Sequence, residues 1–417
     1  MTTIIVGKFT EFGCDYTMLA MKTEVPQFVR SGIDIGHRQI VHRYLTHGNA
    51  RDDREIAHTR SLSLMEWVQE HPPFMRLMRE MFAYVDPILE TEVAGNTLPN
   101  PIIMPAGFDK KAQVHLFLGE ALGFGAVTVG TITKVAYKGN PQPRIFDLPQ
   151  SDGLINRMGF PGDGSDEAEE ELKKDESSKR HYKLINSVGA SRPSFERGSH
   201  VTDFLDAMKQ LSRYGEGVEG NVSSPNTPGV TGLQELEVFR DLSSGAREIV
   251  MPGGEKITRL IWKFSPDLDQ DKRERNAMIA KDNGADGINL GNSTTDANIH
   301  SELKDDEHKG EIGGISGAPL RKKALEISHR MYQYFGEDMP IIFTGGIATV
   351  VDLWNALTYG GAVAAGSYTA FVRPNTSTPN FVFYLLRDLA KAMRAMNMTG
   401  MADFRQLRGK MVPFPKI

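Results

Sequence analysis

From residue 101 onwards the chain repeats one pattern. A short apolar, β-rich run ends in Gly, Ser, Asn or Thr, and a stretch with helical spacing follows it. The runs are PIIMPAGFDK, GAVTVGTIT, YKLINSVGA, VEGNVSSPN, LIWKFSPD, DGINLGNST, PIIFTGGIA and AVAAGSYTA. About eight such βα units close a parallel barrel, so the pattern predicts an α/β fold of the (β/α)8 TIM barrel type. The alternative is an open, doubly wound sheet. Against it, no glycine-rich fingerprint opens the first βα turn. Polar residues and glycines end nearly every run, and a barrel works at those ends, whereas an open sheet uses only its switch point.

The first part of the chain reads differently. HRQIVHRYL, REIAHTRSLSLMEWVQE and PFMRLMREMFAYV have helical spacing, and Asp52–Asp53 is placed to cap the second. The expected division is a small, partly helical N-terminal extension over residues 1–95 and a barrel over residues 96–417. The extension is rich in apolar residues: Met65, Trp67, Val68, Phe74, Met75, Leu77, Met78, Met81 and Phe82. They either pack onto the barrel, which the pattern favours, or form a membrane-surface or quinone-facing element. Two inserts interrupt the later repeat. Residues 164–180 are a charged run expected to form a solvated helix, and residues 296–311 a long polar βα loop able to cover the site.

Composition narrows the function. At 417 residues and 40% hydrophobic positions the chain suits one barrel with an added segment. A net charge of −5 without a basic stripe argues against nucleic acid. The single cysteine, Cys14, excludes an intramolecular disulfide and a cysteine-built metal cluster, and fits a cytoplasmic protein. No signal peptide or spanning run is expected, so any membrane contact would be peripheral, on the cytoplasmic face. Eleven histidines show no metal-ligand spacing, so no metal is expected. GEGVEG, Gly215 to Gly220, matches a dinucleotide fingerprint by spacing only. It lacks the strand-glycine-helix order and reads as a loop preceding its strand.

The strand ends carry the chemistry. They offer Lys110, Asn156, Asn186, Asn221, Ser224, Asn226, Thr227, Lys263, Asn292 and Ser293. Gly107, Gly130, Gly345 and Gly346 lie among them, and Ser316, Gly317, Tyr368 and Thr369 near the last strands. No histidine stands in this set, so a hydrolytic Ser224 has no evident base. Neutral amides read the edge of a flat heterocycle, and lysines balance a carboxylate or a developing ring charge. SGAPLRKKAL and TGGIATVVDL put glycine backbone donors before helices where barrels bind phosphate. The set suggests a phosphate-bearing flat cofactor beside a small, flat, anionic substrate.

Seven motifs, in order, resemble the dihydroorotate dehydrogenase family and its quinone-dependent class 2 in particular. They are AGFDKKA, GNPQPRIFDLP, INRMGF, NVSSPNTPGVTGLQ, KFSPDL, GGISGAPL and TGGI, and the resemblance spans residues 95–390. DDREIAH is more weakly similar to the helix of the class 2 extension, and residues 1–35 resemble nothing placed. The resemblance implies that FMN-dependent oxidation of (S)-dihydroorotate to orotate serves pyrimidine synthesis. Ser224 would take the C5 proton, Thr227 would link it to water, and hydride would pass from C6 to flavin N5. A quinone would then reoxidise the flavin. Phe160 would close the pocket. Asn156, Gly159, Asn221, Asn226, Asn292 and Ser293 would hold orotate, with Lys110 near its carboxylate. Ala106, Gly107, Lys110, Gly130, Thr131, Asn186, Asn221, Lys263, Ser316, Gly317, Gly345, Gly346, Tyr368 and Thr369 would hold FMN. The family resemblance also implies a monomer with peripheral membrane contact through the N-terminal helices. Class 1 relatives use a cysteine as base, and the only one here is Cys14, outside the barrel.

Two departures are visible. The usual TNTT reads GNST, Gly291 to Thr294, which implies a looser pocket wall. Asp147 replaces an arginine that many class 2 sequences carry at the quinone tunnel, and a carboxylate there is expected to repel acidic ligands. They motivate a second reading, a paralogous FMN oxidoreductase acting on another flat unsaturated acid or amide. A third, an FMN-keeping barrel without catalysis, fits poorly with Ser224, Thr227 and both lysines in place.

Overall fold

The computed structural model describes residues 54–175, 179–373 and 378–417, together with Gln27, Arg30, Ser31 and Asp34. The Asp52–Asp53 cap and the helix expected over HRQIVHRYL lie outside these residues. Two helices come first, α1 (Arg54–Gln69) and α2 (Pro72–Phe82). Prolines 72 and 73 open α2 where a missing N–H costs nothing. A hairpin follows, β1 (Thr91–Val93) paired antiparallel with β2 (Asn96–Leu98).

The expected runs then supply the barrel. β3 (Ile102–Met104) and β4 (Ala126–Thr133) begin it, and β5 (Ile145–Leu148) and β6 (Gly153–Asn156) leave it. β7 (Lys183–Gly189), β8 (Gly217–Asn221), β9 (Arg259–Phe264) and β10 (Gly287–Leu290) continue it. β11 (Gly314–Gly317) pairs antiparallel with β6, and β12 (Ile341–Thr344) and β13 (Ala364–Gly366) close the ring onto β3. All eight barrel strands are parallel, and helices intervene between most of them: a (β/α)8 TIM barrel.

Strand alternation decides which side chains reach the interior. Ile103, Ala126, Ile185, Ile261, Ile342 and Ala364 point inward and meet Val93, Ala94 and Leu98 of the hairpin. The hairpin therefore plugs one end of the barrel. Residue 95 lies in its turn, where Ala94 and Gly95 adopt φ of 49° and 73°. Val93, Ala94 and Leu98, on either side of that turn, are buried in one cluster with the barrel interior. The outward positions, such as Leu184, Val218, Trp262 and Phe264, pack under the surrounding helices.

The inserts resolve differently. Ser165–Lys174 is a helix whose charged residues pair along its surface, Lys173 with Glu170 and Lys174 with Glu171, both at 2.7 Å. The segment 296–311 does not line the large cavity described below. Its helix Ala297–Ser301 and Leu303 pack on the β5–β6–β11 sheet through Phe146, Ile155 and Ile315.

Candidate active site

A cavity of about 920 Å³ runs from the C-terminal strand ends to α1 and α2. It gathers most of the expected residues. Lining it are Ala106, Gly107, Lys110, Gly130, Thr131, Asn156, Gly159, Phe160, Asn221, Ser224, Asn226, Lys263, Asn292, Ser293, Ser316, Gly317, Gly345, Gly346, Tyr368 and Thr369. Two expected residues stand apart. Thr227 lies behind Ser224, buried, with its Oγ1 3.4 Å from the serine Oγ. Asn186 faces the other way. It follows inward-pointing Ile185 on β7, so its amide turns outward and donates to the carbonyls of Leu211 and Tyr214.

The NVSSPNTPG loop explains its composition through its hydrogen bonds. β8 ends at Asn221, whose Oδ1 accepts from Ser223 N at 3.1 Å and Ser223 Oγ at 2.7 Å, a side-chain turn that stops the strand. Asn221 Nδ2 donates to Thr131 Oγ1 at 2.7 Å, and Asn292 Nδ2 to Ser223 Oγ at 2.8 Å. Asn226 Nδ2 donates to Asn156 Oδ1 at 3.0 Å, while Asn140 holds the Asn226 carbonyl at 2.8 Å. Each amide is thus oriented by a neighbour. Ser224 is 4% exposed, and its Oγ accepts from Asn226 N at 3.3 Å. Gly159 and Phe160 both take left-handed φ, 74° and 56°, which sets the Phe160 ring against Gly189. The conformation is uncommon for phenylalanine and is held there by packing.

The charged groups are tuned by burial. Lys110 is lowered to about 8, chiefly by loss of solvent, with Glu55 opposing and Arg144 adding to the shift. Burial pushes Asp109 up to about 6 against the backbone N–H groups of Val114 and Gln113. His58 of α1 also lines the cavity, and burial and then Lys110 hold it well below the ordinary imidazole range. Its Nε2 lies 2.9 Å from the Phe108 carbonyl. Lys263, 3% exposed, has its Nζ 3.9 Å from Glu219.

A glycine cradle forms the far wall. Gly317 precedes the helix Ala318–Phe335, and a Cβ on Gly346 would meet the Gly317 carbonyl at 2.7 Å. A Cβ on Gly345 would overlap Ala324. Glycine is therefore required for the close packing of these loops, and all three glycines line the cavity beside a helix N-terminus. Thr369 Oγ1 donates to Ser316 Oγ at 3.0 Å on the same side.

Sequence reasoning missed several partners. Asp147 lies between Arg54 at 3.2 Å and Arg373 at 3.1 Å, and Arg373 also pairs with Asp152 at 2.8 Å. The expected repulsion of acidic ligands is thus offset by two guanidinium groups. Gly291 does not line the cavity, and a Cβ there would overlap the Thr344 carbonyl oxygen. The glycine of GNST answers a close backbone approach, and the pocket wall is set by Asn292 and Ser293. GEGVEG is not a loop throughout: Gly217 to Gly220 lie inside β8. Among the described residues no cluster suits a metal ion.

Fold and site define a barrel enzyme that works at its C-terminal strand ends, with an amide wall opposite a glycine cradle. The sequence model of the family described as "Dihydroorotate dehydrogenase" matches residues 88–390. The chain belongs to the dihydroorotate dehydrogenase family. It is 33% identical over 354 residues to a dihydroorotate dehydrogenase (quinone) of Thermus thermophilus, covering 85% of this chain and 97% of that one. A dihydroorotate dehydrogenase (quinone) of Halobacterium salinarum is 36% identical over 306 residues, 71% of this chain and 80% of its own. The crystal structure of DHODH in complex with ferulenol from Eimeria tenella superposes with a TM-score of 0.74 at 28% identity, covering 84% of this chain and 94% of that one.

Proposed function

We propose that this chain oxidises (S)-dihydroorotate to orotate in pyrimidine synthesis, with FMN as cofactor and a quinone as electron acceptor. One observation carries the reading: a single cavity joins the serine–asparagine cluster, the glycine cradle and apolar residues of α1 and α2, such as Leu64, Met65, Met78 and Met81. A substrate pocket, a cofactor pocket and an acceptor path are then continuous. The quinone-dependent relatives, which are matched over most of their length, support the same assignment.

The residues present fit FMN. Gly317, Gly345 and Gly346 line the cavity at the N-terminus of the helix Ala318–Phe335, the kind of place where a phosphate binds. Ala106, Gly107, Gly130, Thr131, Ser316, Tyr368 and Thr369 complete the walls, and Lys263 brings a cation to the ring edge. Asn186 has no side-chain part in this, since its amide turns away. When bound, FMN supplies the hydride acceptor for C6 and the electron relay to quinone.

The chain's own residues bind substrate and move the proton. Asn156, Asn221, Asn226, Asn292 and Ser293 are pre-oriented donors and acceptors for a flat imide ring. Gly159 lets the backbone approach that ring. Lys110 balances the carboxylate. Ser224 takes the C5 proton, and Thr227 at 3.4 Å offers the next step of its exit. Phe160 excludes water from the serine. Leu64, Trp67, Phe74 and Leu77 are exposed on α1 and α2 and would meet the membrane surface where quinone resides. No helix of the described residues is long and apolar enough to cross a membrane, and we read the contact as peripheral. We assign the working unit as a monomer on the cytoplasmic side. Neither Gly291 nor Asp147 favours the alternative substrate, because the first answers packing and the second is ion-paired.

The test is turnover with (S)-dihydroorotate and a water-soluble quinone, reading orotate by its ultraviolet absorbance. Orotate formed in step with quinone reduction is expected; no orotate under any quinone would overturn the reading.

A further inference from the structure

Directly behind the cavity, inside the barrel, sits a buried carboxylate that the proposed reaction does not use. Glu219 is 2% exposed and does not line the cavity. Its Oε1 accepts from Ser187 Oγ at 2.8 Å, and its Oε2 from Asn289 Nδ2 at 2.7 Å. Lys263 Nζ lies 3.9 Å from the same Oε1. Every group facing Glu219 in this cluster is a donor or a cation, which is the environment of an anion. An ion pair this deep is expensive to assemble and is poor evidence for stability alone. It therefore invites a question about what the charge does.

Hydrogen bonds connect it to the substrate side. Asn292 Nδ2 donates to Ser223 Oγ at 2.8 Å, and Ser223 Oγ to Asn221 Oδ1 at 2.7 Å. Asn221 Nδ2 donates to Thr131 Oγ1 at 2.7 Å. Thr131 and Ser187 hydroxyls are 3.1 Å apart. Ser187 gives its hydrogen to Glu219, so the hydrogen between the two hydroxyls belongs to Thr131. The whole chain then points one way, head to tail, and ends on the carboxylate.

We infer that Glu219 is a positioning residue that compensates the charge of Lys263 and sets the donor direction of the amide wall. The inference rests on the FMN reading given above. Lys263 is the cation that faces the cofactor, and Glu219 lies behind it, so the carboxylate reduces the positive field that the cofactor meets. Reduced FMN carries more negative charge than oxidised FMN. A compensated Lys263 therefore favours reduction less than a bare one would.

Glu219→Gln removes the charge at nearly constant shape. It can be accommodated, because Asn289 Oδ1 has no hydrogen-bond partner and a flipped Asn289 amide would accept from the new donor. The experiment is a spectroelectrochemical titration of bound FMN in wild type, Glu219→Gln, Glu219→Asp and Ser187→Ala. Glu219→Gln is expected to favour reduction at least tenfold, a potential about 30 mV more positive for a two-electron couple. Glu219→Asp keeps the charge and is expected to return most of the shift. Ser187→Ala cuts the hydrogen-bond chain but keeps the carboxylate, so it should weaken orotate binding and leave the potential at the wild-type value. If Glu219→Gln does not fold, Glu219→Met with Asn289→Leu replaces the polar pair by apolar packing, and the same positive shift is expected. An unchanged potential in a folded, FMN-loaded neutral variant overturns the inference while leaving the cofactor reading intact. A wild-type protein that holds no FMN overturns both.

Discussion

Ser224 has a hydroxyl neighbour, Thr227, and a backbone N–H, and no histidine lines the strand-end wall beside it. A serine so placed can act as a base only if its proton has somewhere to go. Ser224→Ala should keep FMN and slow its reduction by dihydroorotate about 100-fold or more, on the usual scale of a lost general base. Stopped-flow absorbance checks this, and near-normal reduction would remove the serine as base. Lys110 gives a second expectation. Its pKa is lowered to about 8, mainly by burial, so it is charged below that pH and loses its charge above it. Orotate affinity should be flat below pH 7 and weaken as pH rises past about 8. Lys110→Met should weaken binding at low pH and abolish that pH dependence, as orotate titrations across this range would show. At this scale most of the residues singled out in the sequence come to line one cavity, because polar residues at the ends of apolar runs converge in a barrel whatever the details of register. It misplaced Asn186, since one residue of strand alternation separates inside from outside. It also hid Glu219, whose charge inside VEGN looked like loop chemistry, and whose partners Ser187 and Asn289 come from other strands.

α1 and α2 have two faces. Val68 and Phe82 are buried, while Leu64, Trp67, Phe74 and Leu77 are 42–46% exposed. Ties to the barrel fix their pose: Gln69 Nε2 donates to the Gln113 carbonyl at 3.0 Å, and Arg79 pairs with Glu120 at 2.9 Å. The apolar residues therefore serve both readings that the sequence left open, packing on one side and an uncovered surface on the other. Trp67→Ser with Leu77→Ser should lower partition onto anionic lipid vesicles several-fold and slow turnover with long-chain quinones. Reduction of FMN by dihydroorotate should be untouched, and an equal loss in that half-reaction would show that the helices merely hold the fold. The β5–β6–β11 sheet was not legible as a unit. β6 and β11 pair across 158 positions or more, and SGAPL read only as the approach to a helix.

The barrel as a whole was legible because eight similar runs recur, and closure is what that repetition permits. The plug was not, because three-residue strands with one glycine turn leave little trace in a sequence. Leu98 is 1% exposed among the interior residues of the barrel floor. Leu98→Ala should cost about 2–5 kcal/mol in chemical denaturation, as cavity-forming substitutions do. Leu77→Ala, half-exposed on α2, should shift stability by about 0.5 kcal/mol or less. Equal costs would put the hairpin outside the cooperative core. One cavity spans the strand-end polar residues, the glycine cradle and the apolar residues of α1 and α2, the arrangement on which the proposed reaction depends. The most direct test is anaerobic addition of (S)-dihydroorotate to the purified, FMN-loaded protein, followed in the visible spectrum. Rapid bleaching of the flavin band, with colour restored by quinone, is the predicted result. A flavin that stays oxidised through excess dihydroorotate would rule out dihydroorotate as the substrate.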